Sequence, residues 1–259
     1  MEKSKLSSLL KRVVSALILA PLVLGAISYS WNTMAVLAIV VAALLSWEWA
    51  AMVPNKNNSV YAVTYLLSVT CTIFFANVLY ALFVMLSASM FVWFKSKGEE
   101  YRKLLVLGVP YITIGLGSLV WLYVIFGNLI TLWFVLAVWS VDIGGYLVGC
   151  TLKGPKLAPR ISPNKTWSGL FGAMLFSALT SVAVASYFSN GDYLIFAILG
   201  AGLAIIAQCG DLLESMIKRY LNIKDSSNLI PGHGGMFDRV DGLIFAAPFM
   251  LVVFIFFII

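Results

Sequence analysis

Charge is what this chain of 259 residues has least of. Charged residues make up 11% of it, against 61% hydrophobic residues. A soluble domain carries about 25% charged residues, so the shortage excludes an ordinary water-soluble globular protein. The mean hydropathy is +0.98. Alternating apolar and polar segments of roughly ten residues, the mark of a transmembrane barrel, are also missing. Histidine is nearly absent: His233 stands alone, which excludes a histidine-based metal cluster. The three cysteines, Cys71, Cys150 and Cys209, are scattered and show no CxxC spacing. They support neither a zinc site nor a disulfide framework, and read as small helix-packing residues. No internal repeat or low-complexity tract is evident.

What is present is a series of long apolar runs, each near the ~20 residues that a helix needs to cross a bilayer core. They predict an all-α polytopic membrane protein with about nine transmembrane helices. The spans are Val13–Ser30, Thr33–Val53, Val60–Ala76, Leu79–Phe94, Leu104–Phe126, Leu129–Cys150, Ser168–Phe188, Tyr193–Cys209 and Asp241–Ile259. The N-terminus resembles a signal peptide, being basic, then apolar, then small. More spans follow, so it reads as a retained first helix. Numbering loops alternately from a cytoplasmic N-terminus puts segments 1–12, 54–59, 95–103, 151–167 and 210–240 inside. Those segments hold every Lys and Arg of the chain. The breaks near Asn32, Asn77, Asn128 and Asn190 hold none, and Asp192 is their only charge. This is the positive-inside asymmetry, and it places the C-terminus on the opposite side. The chain also divides by content. Residues 1–126 form N-terminal helices with few polar motifs. Residues 127–259 form a C-terminal region with cytoplasmic loops 151–167 and 210–240.

Five groups of polar residues interrupt the apolar background. In the first, Gly210-Asp211-Leu212-Leu213-Glu214-Ser215 runs into Lys218-Arg219. Asp211 and Glu214 share a helix face, and Lys218 lies one turn beyond Glu214. Solvated charges on an interfacial helix and ligation both fit this pattern. In the second, Pro231-Gly232-His233-Gly234-Gly235, the glycines allow close backbone approach and an anion-binding nest; a flexible turn is the alternative. His233 is a candidate for a phosphate contact or proton transfer. In the third, Asp238-Arg239-Val240-Asp241 opens an apolar span. Its carboxylates either cap a helix or, with Asp211, hold a divalent cation, for which Mg²⁺ suits the oxygen donors. The fourth is the basic loop Leu157–Gly169. Its Arg160 and Lys165, with the nearby Lys153 and Lys156, can neutralise phosphate, while Ser162 and Thr166 are compatible with helix capping. The fifth is Asp142-Ile143-Gly144-Gly145-Tyr146, whose intramembrane carboxylate is a site hypothesis in itself. Glu48, between Trp47 and Trp49, reads as an interfacial residue.

These residues resemble the phosphatidate cytidylyltransferases, also called CDP-diacylglycerol synthases. Ser215-Met216-Ile217-Lys218-Arg219, Lys224-Asp225 and the run from Pro231 to Asp241 look like that family's C-terminal motif. Gly210-Asp211-x-x-Glu214-Ser215, Ser162-Pro163-x-Lys165-Thr166 and Asp142-x-Gly144-x-Tyr146 match in the expected order. The likeness is strong over residues 130–245. Asn164 stands where the family often has lysine, and Ser168 where it often has glutamate, so neither family role carries over. The resemblance implies that CTP and phosphatidate react to give CDP-diacylglycerol and pyrophosphate, with Mg²⁺, at the cytoplasmic face of a cytoplasmic or inner membrane. It implies Asp211 and Asp238 as metal ligands, and Asp241 as a further ligand or the site of a second cation. Lys218, Arg219, Lys224 and Arg239 would bind phosphates, and Gly234 and Gly235 would admit a phosphate to the backbone. Ser162, Lys165 and Thr166 would close over the nucleotide, with Ser215, Asp225 and Asp142 among the substrate-binding residues. A homodimer is implied; no nucleic-acid partner is expected.

Three other classes share parts of this pattern. Asp238-x-x-Asp241-Gly242 imitates the start of the CDP-alcohol phosphatidyltransferase motif, but no acid follows Asp241. A CTP-dependent polyprenol or phytol kinase would need a base for its alcohol nucleophile. A cation transporter would use Asp142 and Glu48 as pathway residues and leaves the His233 loop unexplained.

Overall fold

The computed structural model describes residues 2–75, 77–187, 192–227, 229 and 234–257. Helices α1 (Glu2–Tyr29), α2 (Trp31–Met52), α3 (Asn58–Phe75), α4 (Val78–Lys95) and α5 (Arg102–Leu152) come first. Strands β1 (Lys156–Ala158) and β2 (Ser162–Thr166) follow, then α6 (Trp167–Ala185), α7 (Tyr193–Tyr220) and α8 (Phe237–Phe257). Among the described residues, seven helices, α2 to α8, are long and apolar enough to cross a membrane, and α1 holds a shorter apolar stretch. The expected all-helical, polytopic character is borne out.

Helix ends fall where local chemistry stops them. Ser30 caps α2: its hydroxyl accepts from the Thr33 N–H at 3.3 Å, and the Thr33 hydroxyl accepts from the Ser30 N–H at 3.2 Å. This reciprocal pair satisfies amides that have no partner within the helix. Asn77 separates α3 from α4 and caps α4 by accepting from the Tyr80 N–H at 3.1 Å. Gly127, at φ 84° and ψ 179°, breaks α5 into two helical segments, at the gap expected between Leu104–Phe126 and Leu129–Cys150.

The chain forms two compact units, Met1–Trp121 with Ile223–Val240 and Leu122–Asn222 with Asp241–Ile259. In the first, Trp49, Tyr61, Tyr65, Val69, Leu105, Val109 and Ile112 are buried. Three of its buried polar side chains pair across helices, as an apolar surround favours. The Tyr65 hydroxyl donates to the Leu105 carbonyl at 2.7 Å, Trp49 Nε1 to the Leu104 carbonyl at 3.1 Å, and the Thr113 hydroxyl to Ser68 Oγ at 2.9 Å. In the second unit, Trp133 packs edge-on to Phe196 and tilted on Phe254.

Two local differences from the sequence reading stand out. The segment expected as a plain loop, 151–167, contains an antiparallel hairpin that pairs Lys156 with Thr166 and Ala158 with Ser162. Strands of three and five residues carry no readable alternation, and Pro163 is tolerated because each strand of a two-stranded ribbon is an edge. Helix α7 runs on to Tyr220 beyond the expected end at Cys209, so Asp211, Glu214, Ser215, Lys218 and Arg219 all ride on it.

Candidate active site

Close helix contact builds the site in the second unit. A Cβ added at Gly210 would come 2.5 Å from Phe245 Cβ and 2.9 Å from the Asp241 carbonyl, so only glycine lets α8 lie this near α7. One at Gly242 would stand 3.1 Å from the Ala207 carbonyl. Small residues at such points let helix backbones approach. The approach gathers Asp211 and Glu214 of α7 with Asp241 of α8: one carboxylate oxygen from each lies within 4.8 Å of the others. Asp211 and Asp241 are half-buried, and Glu214 is 1% exposed.

Cations and hydroxyls converge on this trio. Lys218 Nζ donates to Glu214 Oε2 at 2.9 Å, the pairing that the four-residue spacing suggests, and both side chains are buried. Lys165 of β2 forms an ion pair with Asp211 Oδ2. The Ser215 hydroxyl donates to Asp211 Oδ1 at 3.3 Å, and the Gly242 N–H to Asp241 Oδ1 at 2.7 Å. Arg219 reaches the hairpin, where Nε donates to the Ile161 carbonyl at 3.5 Å.

Beside the trio opens a cavity of about 820 Å³. Asp142, Tyr146 and Lys153 border it from α5 and its end, Lys156, Ser162, Lys165 and Thr166 from the hairpin, and Gln208 and Asp211 from α7. Asp211 therefore belongs to both cavity and trio. The wall is held by another glycine contact, between α5 and α6. A Cβ on Gly144 would stand 2.6 Å from the Gly172 carbonyl, and one on Gly169 2.9 Å from the Gly145 carbonyl. Thr166 serves this wall too: its Oγ1 caps α6 by accepting from the Gly169 N–H at 3.1 Å.

The remaining expected residues lie in the first unit. Asp238 Oδ2 accepts from the N–H groups of Ser226 at 3.1 Å and Gly235 at 2.9 Å. Gly234 has φ +85°, which suits glycine, and Gly235 is buried. Lys224, Asp225 and Arg239 are exposed. His233, with Pro231 and Gly232, lies outside the described residues. Two groupings were not read from sequence. Glu214 joins the carboxylate trio; its shared face with Asp211 was the available signal. Glu48 is fully buried in the protein, with partners among residues nearly two hundred positions away.

Fold and site together define an integral membrane protein with a charged, hydroxyl-bearing cavity among its helices. The chain belongs to the cytidylyltransferase family, whose model matches residues 10–257. It is 38% identical over 187 residues to the phosphatidate cytidylyltransferase of Rickettsia bellii (strain RML369-C), covering 67% of this chain and 79% of that protein. It is 38% identical over 205 residues to the phosphatidate cytidylyltransferase of Rickettsia felis (strain ATCC VR-1525 / URRWXCal2), covering 72% and 86%. The enzyme of the same name from Brucella suis biovar 1 (strain 1330) is 49% identical over 113 residues, 44% of this chain and 42% of that protein. The resemblance read from the motifs is borne out.

Proposed function

We propose that the protein transfers the cytidylyl group of CTP to phosphatidate, giving CDP-diacylglycerol and pyrophosphate. Family membership and the names of the relatives support the activity. The observation that carries it in this chain is Asp211, placed at once in a lysine-bearing cavity and in a carboxylate trio.

Three carboxylates with no thiol or imidazole among them are hard oxygen donors, and they fit Mg²⁺. Asp211, Glu214 and Asp241 would hold the ion; bound there, it supplies positive charge against the triphosphate. Asp238, implied as a ligand by the resemblance, remains part of this reading, and Asp238→Ala tests it. Lys153, Lys156 and Lys165 border the cavity and offset the repulsion between two phosphate-bearing reactants. The lipid phosphate is a monoester whose second ionisation falls at about pH 6. One of its oxygens therefore attacks the α-phosphorus without a dedicated base. The new P–O bond forms as the bond from the α-phosphorus to the α,β-bridging oxygen breaks, and pyrophosphate leaves with that electron pair. The protein's work is positioning and charge.

The same proposal includes topology. Helix α1, the two segments of α5 and the other six helices make nine crossings, with the N-terminus and the cavity lysines cytoplasmic. It also includes the homodimer that the resemblance implies.

The test uses detergent-purified protein with phosphatidate, Mg²⁺ and CTP labelled at the α- or γ-phosphate. Label from the α-position in lipid, with pyrophosphate released and both lost on adding EDTA, is the expected result. Label passing only from the γ-position to a lipid alcohol would replace the reading with a kinase. No transfer from either position by folded protein would sink it in favour of the transporter.

A further inference from the structure

Glu48 is the one carboxylate, and the one charged side chain, of α2. It is 0% exposed. Taking a carboxylate out of water costs several kcal/mol unless other donors replace the water. Here they do so from both ends of one loop. On the way in, the Ser227 hydroxyl donates to Oε1 at 2.5 Å, and the Ser226 hydroxyl lies 3.3 Å from Oε2. On the way out, the N–H of Met236 donates to Oε1 at 2.8 Å and that of Phe237 to Oε2 at 2.7 Å. These are amides at the start of α8, where donors lack helical partners and the helix end favours an anion. Asp238 repeats the pattern from the first turn of α8, with the Ser226 hydroxyl 3.1 Å from its Oδ2. Gly235 is packed between them: a Cβ there would overlap Ser226 Oγ and stand 2.8 Å from Glu48 Oε1. The aromatic rings of Trp49, Tyr111 and Phe237 stack beside the network, with centroids 5.3 to 5.7 Å apart.

We infer that Glu48 is a positioning residue: it ties Ser226 and Ser227 to the start of α8 and so fixes where Lys224 and Arg239 present their charge to a substrate phosphate. This rests on the proposed function. A space-filling role would be served by an apolar side chain of the same size, whereas the Ser227 hydroxyl and the Met236 and Phe237 amides require an acceptor; the single Ser226 hydroxyl is shared with Asp238. The phosphate belongs either to the nucleotide or to the lipid headgroup, and the chemistry of recognition is the same for both.

The test compares wild type with Glu48→Gln and Ser227→Ala. Glutamine keeps the shape but only one acceptor, so one of the α8 amides loses its partner. Because the loop holds the substrate in ground and transition states alike, Glu48→Gln raises the KM for the phosphate substrate by at least about tenfold and lowers kcat by less than about threefold. Ser227→Ala shifts KM the same way by less, and the double variant is no worse than Glu48→Gln alone, because the residues share one network. A rise confined to CTP assigns the loop to the triphosphate; one confined to phosphatidate assigns it to the headgroup. KM values for both substrates within about twofold of wild type, or a loss confined to kcat, overturns the inference. If Glu48→Gln does not accumulate as folded protein, Ser227→Ala decides by the same criteria. Hydrogen exchange at the Met236 and Phe237 amides separates the anchor from the function. It accelerates at least about tenfold in Glu48→Gln if the anchor is real, and unchanged exchange refutes it. A wild type that makes no CDP-diacylglycerol sinks the proposed function and the loop's substrate role with it, while exchange still decides the anchor.

Discussion

Two lysines meet the carboxylate trio, and their surroundings assign them different work. Lys218 and Glu214 are 11% and 1% exposed at the side chain, whereas Lys165 and Asp211 are 16% and 32% exposed. A buried pair loses most when one partner goes, because a desolvated charge is left behind. Lys218→Met is therefore expected to destabilise the protein by roughly 3 kcal/mol, seen as a lowered unfolding temperature in detergent. An unfolding temperature equal to wild type would show that Glu214 does not depend on that ammonium. Asp211 keeps access to water and faces the cavity, so its loss falls on chemistry. Asp211→Asn should lower turnover on the order of 100-fold or more, the scale for one preorganised electrostatic group, with little change in unfolding temperature. Activity within a few-fold of wild type would remove Asp211 from the metal reading. Glu214→Gln should follow Asp211→Asn in activity; a fully active variant would leave Glu214 as a partner of Lys218 only.

At the scale of elements, glycine decides where helices touch. Gly172 faces Val148 and the Gly144 carbonyl, leaving no room for a side chain. Gly172→Val wedges α6 from α5 along the cavity wall and should cost about 1–3 kcal/mol, as overpacking does. Gly202, with nothing near its Cβ position, is the control: Gly202→Ala should be neutral or slightly stabilising. Equal effects at the two positions would show that the close contact is not what matters. The same elements mark what sequence conveys. Apolar runs of near bilayer length disclosed the helices, and Asp211 with Glu214 three residues on disclosed a shared face. The hairpin was hidden because its strands are too short for a period to register. Gly144 and Gly145 were legible as part of a motif, but their packing against Gly172 and Gly169 was not, since nothing local names a partner. The partners of Glu48 were hidden for the same reason: they lie in residues 226–237, distant in sequence and joined to it by contacts alone.

At the scale of the whole molecule, the length of α5 constrains the topology. Its 51 residues, at ~1.5 Å each, would run ~76 Å, against a hydrocarbon core of about 30 Å. A single crossing would leave most of its apolar length in water. Gly127 interrupts it near the middle, and neither Lys nor Arg occurs between Lys103 and Lys153. The proposed topology therefore has the chain cross once on each side of Gly127, with the break opposite the basic loops. Single cysteines placed in a Cys71→Ala, Cys150→Ala, Cys209→Ala background test this with a membrane-impermeant thiol reagent. Lys56→Cys, Lys97→Cys and Arg160→Cys should react from the cytoplasmic side only, and Asn128→Cys from the opposite side only. Labelling of Asn128→Cys from the same side as Arg160→Cys would mean that the two segments of α5 do not both cross. The count would then fall from nine, and with only one segment crossing the helices after α5 would reverse. That reversal would split the basic loops between the two faces, against the charge asymmetry on which the cytoplasmic placement of the cavity lysines rests.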